Sequence, residues 1–190
     1  MTRMDPPTGI AFAAGCTDAR EGRNVGRLRR EMSRKHQSAG LLLFRRAADA
    51  IEVLLVHPGG PLWAKKDEGA WSIPKGEFSD EDPLQAAIRE FEEETGKAVR
   101  ETAAGDFIPL QPQRQAGGKL VYAWALRGDF DPTQLRSNTF SIEWPPRSGR
   151  HQTWPEVDRA SWFTLDAARK KILPGQIPLL DELERTLTSR

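Results

Sequence analysis

Two short apolar runs stand close together in the first half of the chain: AGLLLFRR at positions 39–46 and IEVLLVH at 51–57, with only AADA between them. Both are too short for a stable helix and rich in Leu, Val and Ile, so they predict two strands joined by a tight turn. GGPLWAKKDEGA (59–70) has the Gly and Pro punctuation of a loop. WSIP (71–74) predicts a short strand ended by Pro74, and KGEFSDED (75–82) a polar loop. The period then changes. Leu84, Ala87, Ile88 and Phe91 recur at helical spacing, forming one apolar stripe. Asp82 is placed to cap this helix, Pro83 fits its first position, and Gly96 is its natural stop. DFIPLQPQ (106–113) and KLVYAWALRG (119–128) predict strands around an AGG turn. Residues 137–160, with three prolines, predict a long irregular stretch. SWFTL (161–165) predicts a last short strand, and DAARKKI and IPLLDELERTL two closing helices. This order gives an α/β protein of the α+β type: a mixed β-sheet sandwiched between helices.

Composition narrows the picture only a little. At 38% hydrophobic and 29% charged residues, the 190-residue chain has ordinary globular makeup. Its net charge of +1 points to neither nucleic acid nor a membrane as partner, and no run is long enough to span a bilayer. Residues 1–35 hold eight Lys/Arg against four Asp/Glu, leaving 20 against 23 in the remainder. A basic tail, residues 1–36, is expected to be disordered ahead of one domain at 37–190. Met32, just before the first strand, is a candidate translation start. The single cysteine, Cys16, excludes an internal disulfide and fits a reducing, cytoplasmic setting.

The densest charge lies in IREFEEETG (88–96). At about 100° per residue, Glu90, Glu93 and Glu94 share a helical face while Glu92 points elsewhere. Like charges so close repel unless a cation intervenes, and hard oxygen ligands suit Mg²⁺ or Mn²⁺. The plain alternative is a solvated acidic helix face.

The surroundings favour the first reading. REFEEETG resembles the second half of the Nudix box (Arg-Glu-apolar-x-Glu-Glu-x-Gly) through Arg89, Glu90, Phe91, Glu93, Glu94 and Gly96, with Glu81 preceding Arg89 by the seven-residue gap of that pattern. PKG at 74–76 is similar to the diadenosine tetraphosphate hydrolase branch. One departure stands out: four residues rather than five separate Gly76 from Glu81, so either Glu81 or Asp82 fills the acidic position before the helix. The resemblance implies a Nudix-like fold and hydrolysis of a nucleoside diphosphate linked to another group. It assigns Glu90, Glu93 and Glu94 to divalent metal, with the Gly76 carbonyl completing the shell, and Arg89 to orienting the glutamates. For Arg89 the alternative is a plain i,i+4 partner of Glu93; for Gly76, a turn. The general base is open between Glu93 and Glu156 in WPEVDRASWF, with Asp158 as local competitor.

For substrate, Lys75 beside the box is the phosphate-binding candidate, Lys65 and Lys66 being taken as solvated. Trp144, before two prolines, and Tyr122, on a strand, are candidates to stack on a base, while Trp124 and Trp162 are assigned to the core. His57 and His151 are candidate phosphate contacts, although a lone His is more often structural or exposed. The leading expectation is a metal-dependent pyrophosphohydrolase of a dinucleoside polyphosphate such as diadenosine tetraphosphate, or of an NTP. The alternatives are RNA 5′-pyrophosphohydrolase, using the basic tail, and a non-catalytic nucleotide sensor.

Overall fold

The computed structural model describes residues 37–48, 50–115 and 118–189; the basic segment 1–36, Cys16 and Met32 lie outside them. The paired apolar runs form the expected hairpin, β1 (Gln37–Ala47) and β2 (Ala50–Pro58), antiparallel with Phe44 opposite Val53. β1 lies at the centre of a six-stranded sheet ordered β4 (Ala103–Arg114), β5 (Leu120–Gly128), β1, β2, β8 (Val157–Thr164), and its pairing with β5 is parallel. The central strand is therefore covered on both faces, which explains its unbroken apolar run. Leu41 and Leu43 enter one core and Leu42 and Phe44 the other.

Helix α1 (Pro83–Thr95) packs on the first face through Ala86, Ala87 and Phe91, all fully buried. It starts as expected: the Asp82 carboxylate accepts from Leu84 N–H (2.9 Å) and Gln85 N–H (3.2 Å). Gly96 ends it in the left-handed conformation, φ 73°. A single further turn, α2 (Val99–Thr102), follows. On the opposite face lie α3 (Leu165–Lys171) and α4 (Ile177–Thr188), the latter burying Leu179, Leu180 and Leu183. The expected sandwich is present.

Three local expectations are corrected. WSIP is not a strand: Trp71 and Ser72 make isolated bridges only, and Ile73 N–H donates to the Gln176 side chain. Pairing resumes one residue past Pro74, in the stretch read as loop, where β3 (Lys75–Glu77) joins the N-terminal end of β1 with Gly76 opposite Ala39. β1 is thus shared along one edge between β3 and β2, and the sheet forks under α1. Residues 137–160 are not irregular either. They form a two-stranded ribbon, β6 (Thr139–Glu143) and β7 (His151–Pro155), before β8 begins at Val157.

Candidate active site

The fork brings the glycine of β3 against the glutamates of α1. Gly76 is a strand residue, so the turn assigned to it is absent; what it provides is space. A Cβ there would lie 1.8 Å from Glu90 Oε2 and 2.4 Å from Oε1. Only glycine allows the carboxylate to rest on the strand.

Arg89 organises the rest. Its guanidinium forks onto Glu81, with Nη2–Oε1 at 2.6 Å and Nε–Oε2 at 3.5 Å, while Nη1 reaches Glu90 Oε1 (2.7 Å) and Glu93 Oε2 (3.3 Å). Arg89 is thus the i,i+4 partner of Glu93 and also gathers carboxylates from two elements. Its hydrogen bond to Glu81 holds its pKa above even the usual arginine range, against the opposing effect of burial. Glu81 faces Arg89 despite the short loop, and Asp82 is the helix cap.

Glu94, next along the face, is half-buried and accepts from Lys75 N–H at 3.1 Å. Burial pushes its carboxyl up to about 8; the Lys75 charge opposes this, and Glu90 and Glu156 add to it. Glu90 is raised too, by burial against the pull of Arg89, with Glu93 and Glu156 contributing. Lys75 is drawn into the protein, where burial lowers its pKa and the Glu94 charge raises it. Glu92 points elsewhere, as read from the helix period, and accepts from Val99 N–H (3.0 Å), capping α2.

Glu156 lies in the single residue between β7 and β8. Its carbonyl accepts from Gly59 N–H and its N–H donates to the Asn138 carbonyl, both at 2.8 Å. The ribbon therefore delivers it within electrostatic reach of Glu90 and Glu94. Its competitor Asp158 is occupied by His57 Nδ1 (2.7 Å) and Arg159. His57 is fully buried and its Nε2 faces the Lys66 carbonyl (2.9 Å), the structural role weighed against a phosphate contact. His151 is exposed at the start of β7, and Lys65 and Lys66 are exposed as expected.

The base-stacking candidates separate. Tyr122 packs edge-to-face on Phe78 (5.9 Å) beneath α1. Trp144 is half-buried beyond the end of β6, on the side of the ribbon shared by Phe140 and Ile142. Trp124 and Trp162 pack against the α1-side core, and Trp162 Nε1–H donates to the Phe130 carbonyl. Beside Glu156 lies a feature the sequence did not reveal: an apolar cavity of about 310 Å³ between residues 58–63 and the ribbon. The alternation of Phe140 and Ile142 was its one sequence signal, masked by the surrounding prolines.

Among the described residues, no three carboxylate or imidazole groups converge as a ready ligand set; Arg89 is the cation between Glu81, Glu90 and Glu93. The donor chemistry nevertheless fits a hard divalent ion. The groups are all carboxylates, two are raised by burial, and their mutual repulsion is what a cation relieves.

A glutamate-rich helix laid over a forked mixed sheet is an arrangement shared with hydrolases that act on phosphoric anhydrides. The family model of the NUDIX domain matches residues 34–183. Among solved structures, the Ap4A hydrolase of C. elegans in a binary complex is 25% identical with a TM-score of 0.55, over 80% of this chain and 99% of that one. A Nudix hydrolase from M. smegmatis, RenU, is 20% identical with a TM-score of 0.51, over 82% and 88%. The MutT protein from Methanosarcina mazei is 18% identical with a TM-score of 0.50, over 80% and 94%. The last two bear on the fold alone. The chain belongs to the Nudix family and is a hydrolase acting on phosphoric anhydrides. That family generally uses divalent metal ions. No helix among the described residues is long and apolar enough to cross a membrane.

Proposed function

We propose that this chain is a Mg²⁺- or Mn²⁺-dependent pyrophosphohydrolase of nucleotides. Its substrate is a dinucleoside polyphosphate such as diadenosine tetraphosphate, or an NTP. The observation that carries the reading is the pair of carboxylates held at β3, Glu90 against Gly76 and Glu94 on the Lys75 N–H, both raised by desolvation with Glu156 contributing. The 25% identity to an Ap4A hydrolase over nearly all of that protein supports the choice of substrate.

Glu90, Glu93 and Glu94 would hold the metal, with the backbone at Gly76 beside them. When bound, the ion supplies positive charge against the pyrophosphate and makes water more acidic. Arg89 keeps Glu90 and Glu93 oriented through its anchor on Glu81. Lys75, whose charge bears on Glu94, is the candidate to contact phosphate. Water attacks phosphorus, the bond from phosphorus to the bridging oxygen breaks, and a carboxylate takes the water's proton. Glu93 and Glu156 are the two candidate acceptors. Glu93 is engaged by Arg89 and Glu156 is exposed, which favours Glu156.

The test is product release from diadenosine tetraphosphate, NTPs, dNTPs, ADP-ribose and 5′-triphosphorylated RNA with each metal. Glu156→Gln and Glu93→Gln are run in parallel. Turnover of a nucleotide substrate, reduced at least a hundredfold in Glu156→Gln, supports the reading. Turnover of ADP-ribose or RNA alone overturns the substrate, and no turnover at all overturns the activity.

A further inference from the structure

β2 and β8 pair in register from Glu52 opposite Thr164 down to His57 opposite Arg159, and the next pair is Pro58 with Val157. Asp158 therefore has no partner across the ladder. It is a bulge, two residues past Glu156. The bulge changes the phase of the strand. Ala160 and Trp162 join the core beneath α1 at even positions, and Val157 joins it at an odd one. A change of phase decides which way the neighbouring side chains point. The neighbour here is Glu156, whose charge bears on Glu90 and Glu94.

What fixes the bulge is His57. Its ring is fully buried and both nitrogens are engaged, Nδ1 with Asp158 Oδ1 at 2.7 Å and Nε2 with the Lys66 carbonyl at 2.9 Å. An ionised carboxylate and a carbonyl only accept, so the ring donates at both nitrogens. Arg159 Nη2 lies 3.0 and 3.1 Å from the two and so lines up with neither. The Trp71 ring meets His57 edge-on at 5.2 Å. One side chain thus ties β8, just past Glu156, to the loop after β2.

Glu156 sits between the two ties. Gly59 N–H donates to its carbonyl at 2.8 Å. A Cβ on Gly59 would fall 2.0 Å from the Pro155 carbonyl oxygen, so the loop lies directly on the peptide before Glu156. The far end of the loop is pinned as well: Asp67 accepts from Trp71 Nε1 (2.9 Å) and pairs with Lys171. The groups against His57, namely Asp158, Arg159, Trp71 and Lys66, stand apart from the carboxylates of α1. An effect of His57 on turnover must therefore travel through the segment that carries Glu156.

We infer that His57 is a positioning residue for the hydrolysis: by holding the Asp158 bulge and the Lys66 carbonyl at once, it fixes the segment that presents Glu156 to the attacking water. The inference rests on the nucleotide hydrolase reading above, with Glu156 as proton acceptor. The two ties can be cut one at a time. An asparagine amide takes the place of Nδ1 and keeps a donor towards Asp158. A glutamine amide takes the place of Nε2 and keeps one towards Lys66. The Asp158 tie is the closer to Glu156 along the chain, so its loss should weigh more.

The experiment uses the full chain with Mg²⁺ and its best nucleotide substrate. His57→Gln should lower kcat about tenfold to a hundredfold, the cost of a misplacement on the ångström scale, with KM changed less than about twofold. His57→Asn should stay within about threefold of wild type. Asp158→Ala cuts the same tie from a side chain that is 29% exposed, so it tests the idea even where a buried substitution fails to fold. It should match His57→Gln. In a Glu156→Gln background each substitution should cost less than about twofold more, because the group it positions is gone. Amide exchange followed by NMR, without metal or nucleotide, reads the segment directly. Gly59 and Glu156 N–H should exchange about tenfold faster in His57→Gln and Asp158→Ala, with the β1 amides unchanged. A full loss of turnover again in the Glu156→Gln background, or an equal loss in His57→Asn, would overturn the inference, since His57 would then support the fold at large. Gly59 and Glu156 amides that exchange as in wild type would overturn it too. So would wild-type turnover by Glu156→Gln alone, through the proton acceptor. If no nucleotide is hydrolysed, the nucleotide reading falls, and the exchange result decides alone whether His57 holds this segment.

Discussion

Gly76→Ala is the sharpest test of how the site is built. The new methyl would lie 1.8 Å from Glu90 Oε2, 2.0 Å from Cδ and 2.4 Å from Oε1, where ordinary contact begins at 3.4 Å. The carboxylate must retreat by about 1.6 Å, the difference between those distances. It is tied to Arg89 at 2.7 Å, so either that bond breaks or Arg89 follows and strains its fork on Glu81. The clashing atoms end a flexible side chain, and alanine is favoured over glycine in a strand by roughly 0.5–1 kcal/mol. Folding should survive, with the melting temperature within a few degrees of wild type. Catalysis should not: a misplacement of about an ångström costs on the order of a hundredfold. Steady-state kinetics on the best nucleotide, with Mn²⁺ affinity from electron paramagnetic resonance, should show kcat/KM down about a hundredfold and Mn²⁺ bound about tenfold more weakly. Gly105→Ala is the control, because its methyl meets only Arg127 Cβ, at an ordinary 3.5 Å. If Gly76→Ala keeps kcat/KM within threefold and binds Mn²⁺ as tightly as wild type, the Glu90 carboxylate is not a functional group held against β3.

Other expectations follow from the same geometry. Glu94, with its pKa raised to about 8, must lose its proton to bind a cation. Mn²⁺ affinity should therefore rise up to about tenfold per unit from pH 6 to 8 and then level off. The same shift sets the stability of the metal-free protein. The folded state holds a proton that the unfolded state gives up near the ordinary glutamate value of 4.5, so the Glu94 contribution is complete below that value and lost as pH rises towards 8. Melting curves with and without Mg²⁺ should show that slope flattened by the ion. Asp82→Ala should cost about 1 kcal/mol through the lost cap and leave kcat intact, whereas Glu81→Gln should lower kcat at least tenfold with little change in melting. Equal effects of the two on kcat would undo the assignment of Glu81 to Arg89. Phe91→Ala, fully buried on α1 and edge-on to Phe130, should cost about 3–5 kcal/mol by urea denaturation.

Elements whose signal is local were legible. The Asp82-Pro83 start, the stripe through Phe91 and the Gly96 stop specify α1 without any neighbour, and the helical period alone separated Glu92 from Glu90, Glu93 and Glu94. β3 was not legible because its three residues carry no apolar period. Its pairing with β1 depends on Gly40, where a Cβ would lie 2.5 Å from Lys75 Cβ. The ribbon was hidden differently. Phe140 and Ile142 alternate with polar residues as a half-buried strand should, but the prolines at 145, 146 and 155 marked the region as a break. With the ribbon went the cavity, since its two walls are 80 residues apart in sequence and meet only when Glu156 bonds to Gly59. His57 shows the opposite limit: the residue was visible, but its commitment to Asp158 and the Lys66 carbonyl belongs to the fold alone.

The charges in the site bear on how many cations it takes. Five glutamates (81, 90, 93, 94 and 156) are set against Arg89 and Lys75 as the cations of the site, so full ionisation leaves three uncompensated negative charges. The metal-free protein lowers that figure by keeping the proton on Glu94. One divalent ion, entering as that proton leaves, brings the cluster close to neutrality. A second would turn it positive inside a partly buried site, which is unfavourable until an anion arrives. The polyphosphate is that anion, and Mg²⁺ commonly completes its shell with substrate phosphates. Mn²⁺ titration at pH 7.5 should therefore give one tight ion per chain in the free protein and at least one more with a non-hydrolysable nucleotide present. Two equally tight ions without nucleotide would show that the charge balance is set by groups other than these seven.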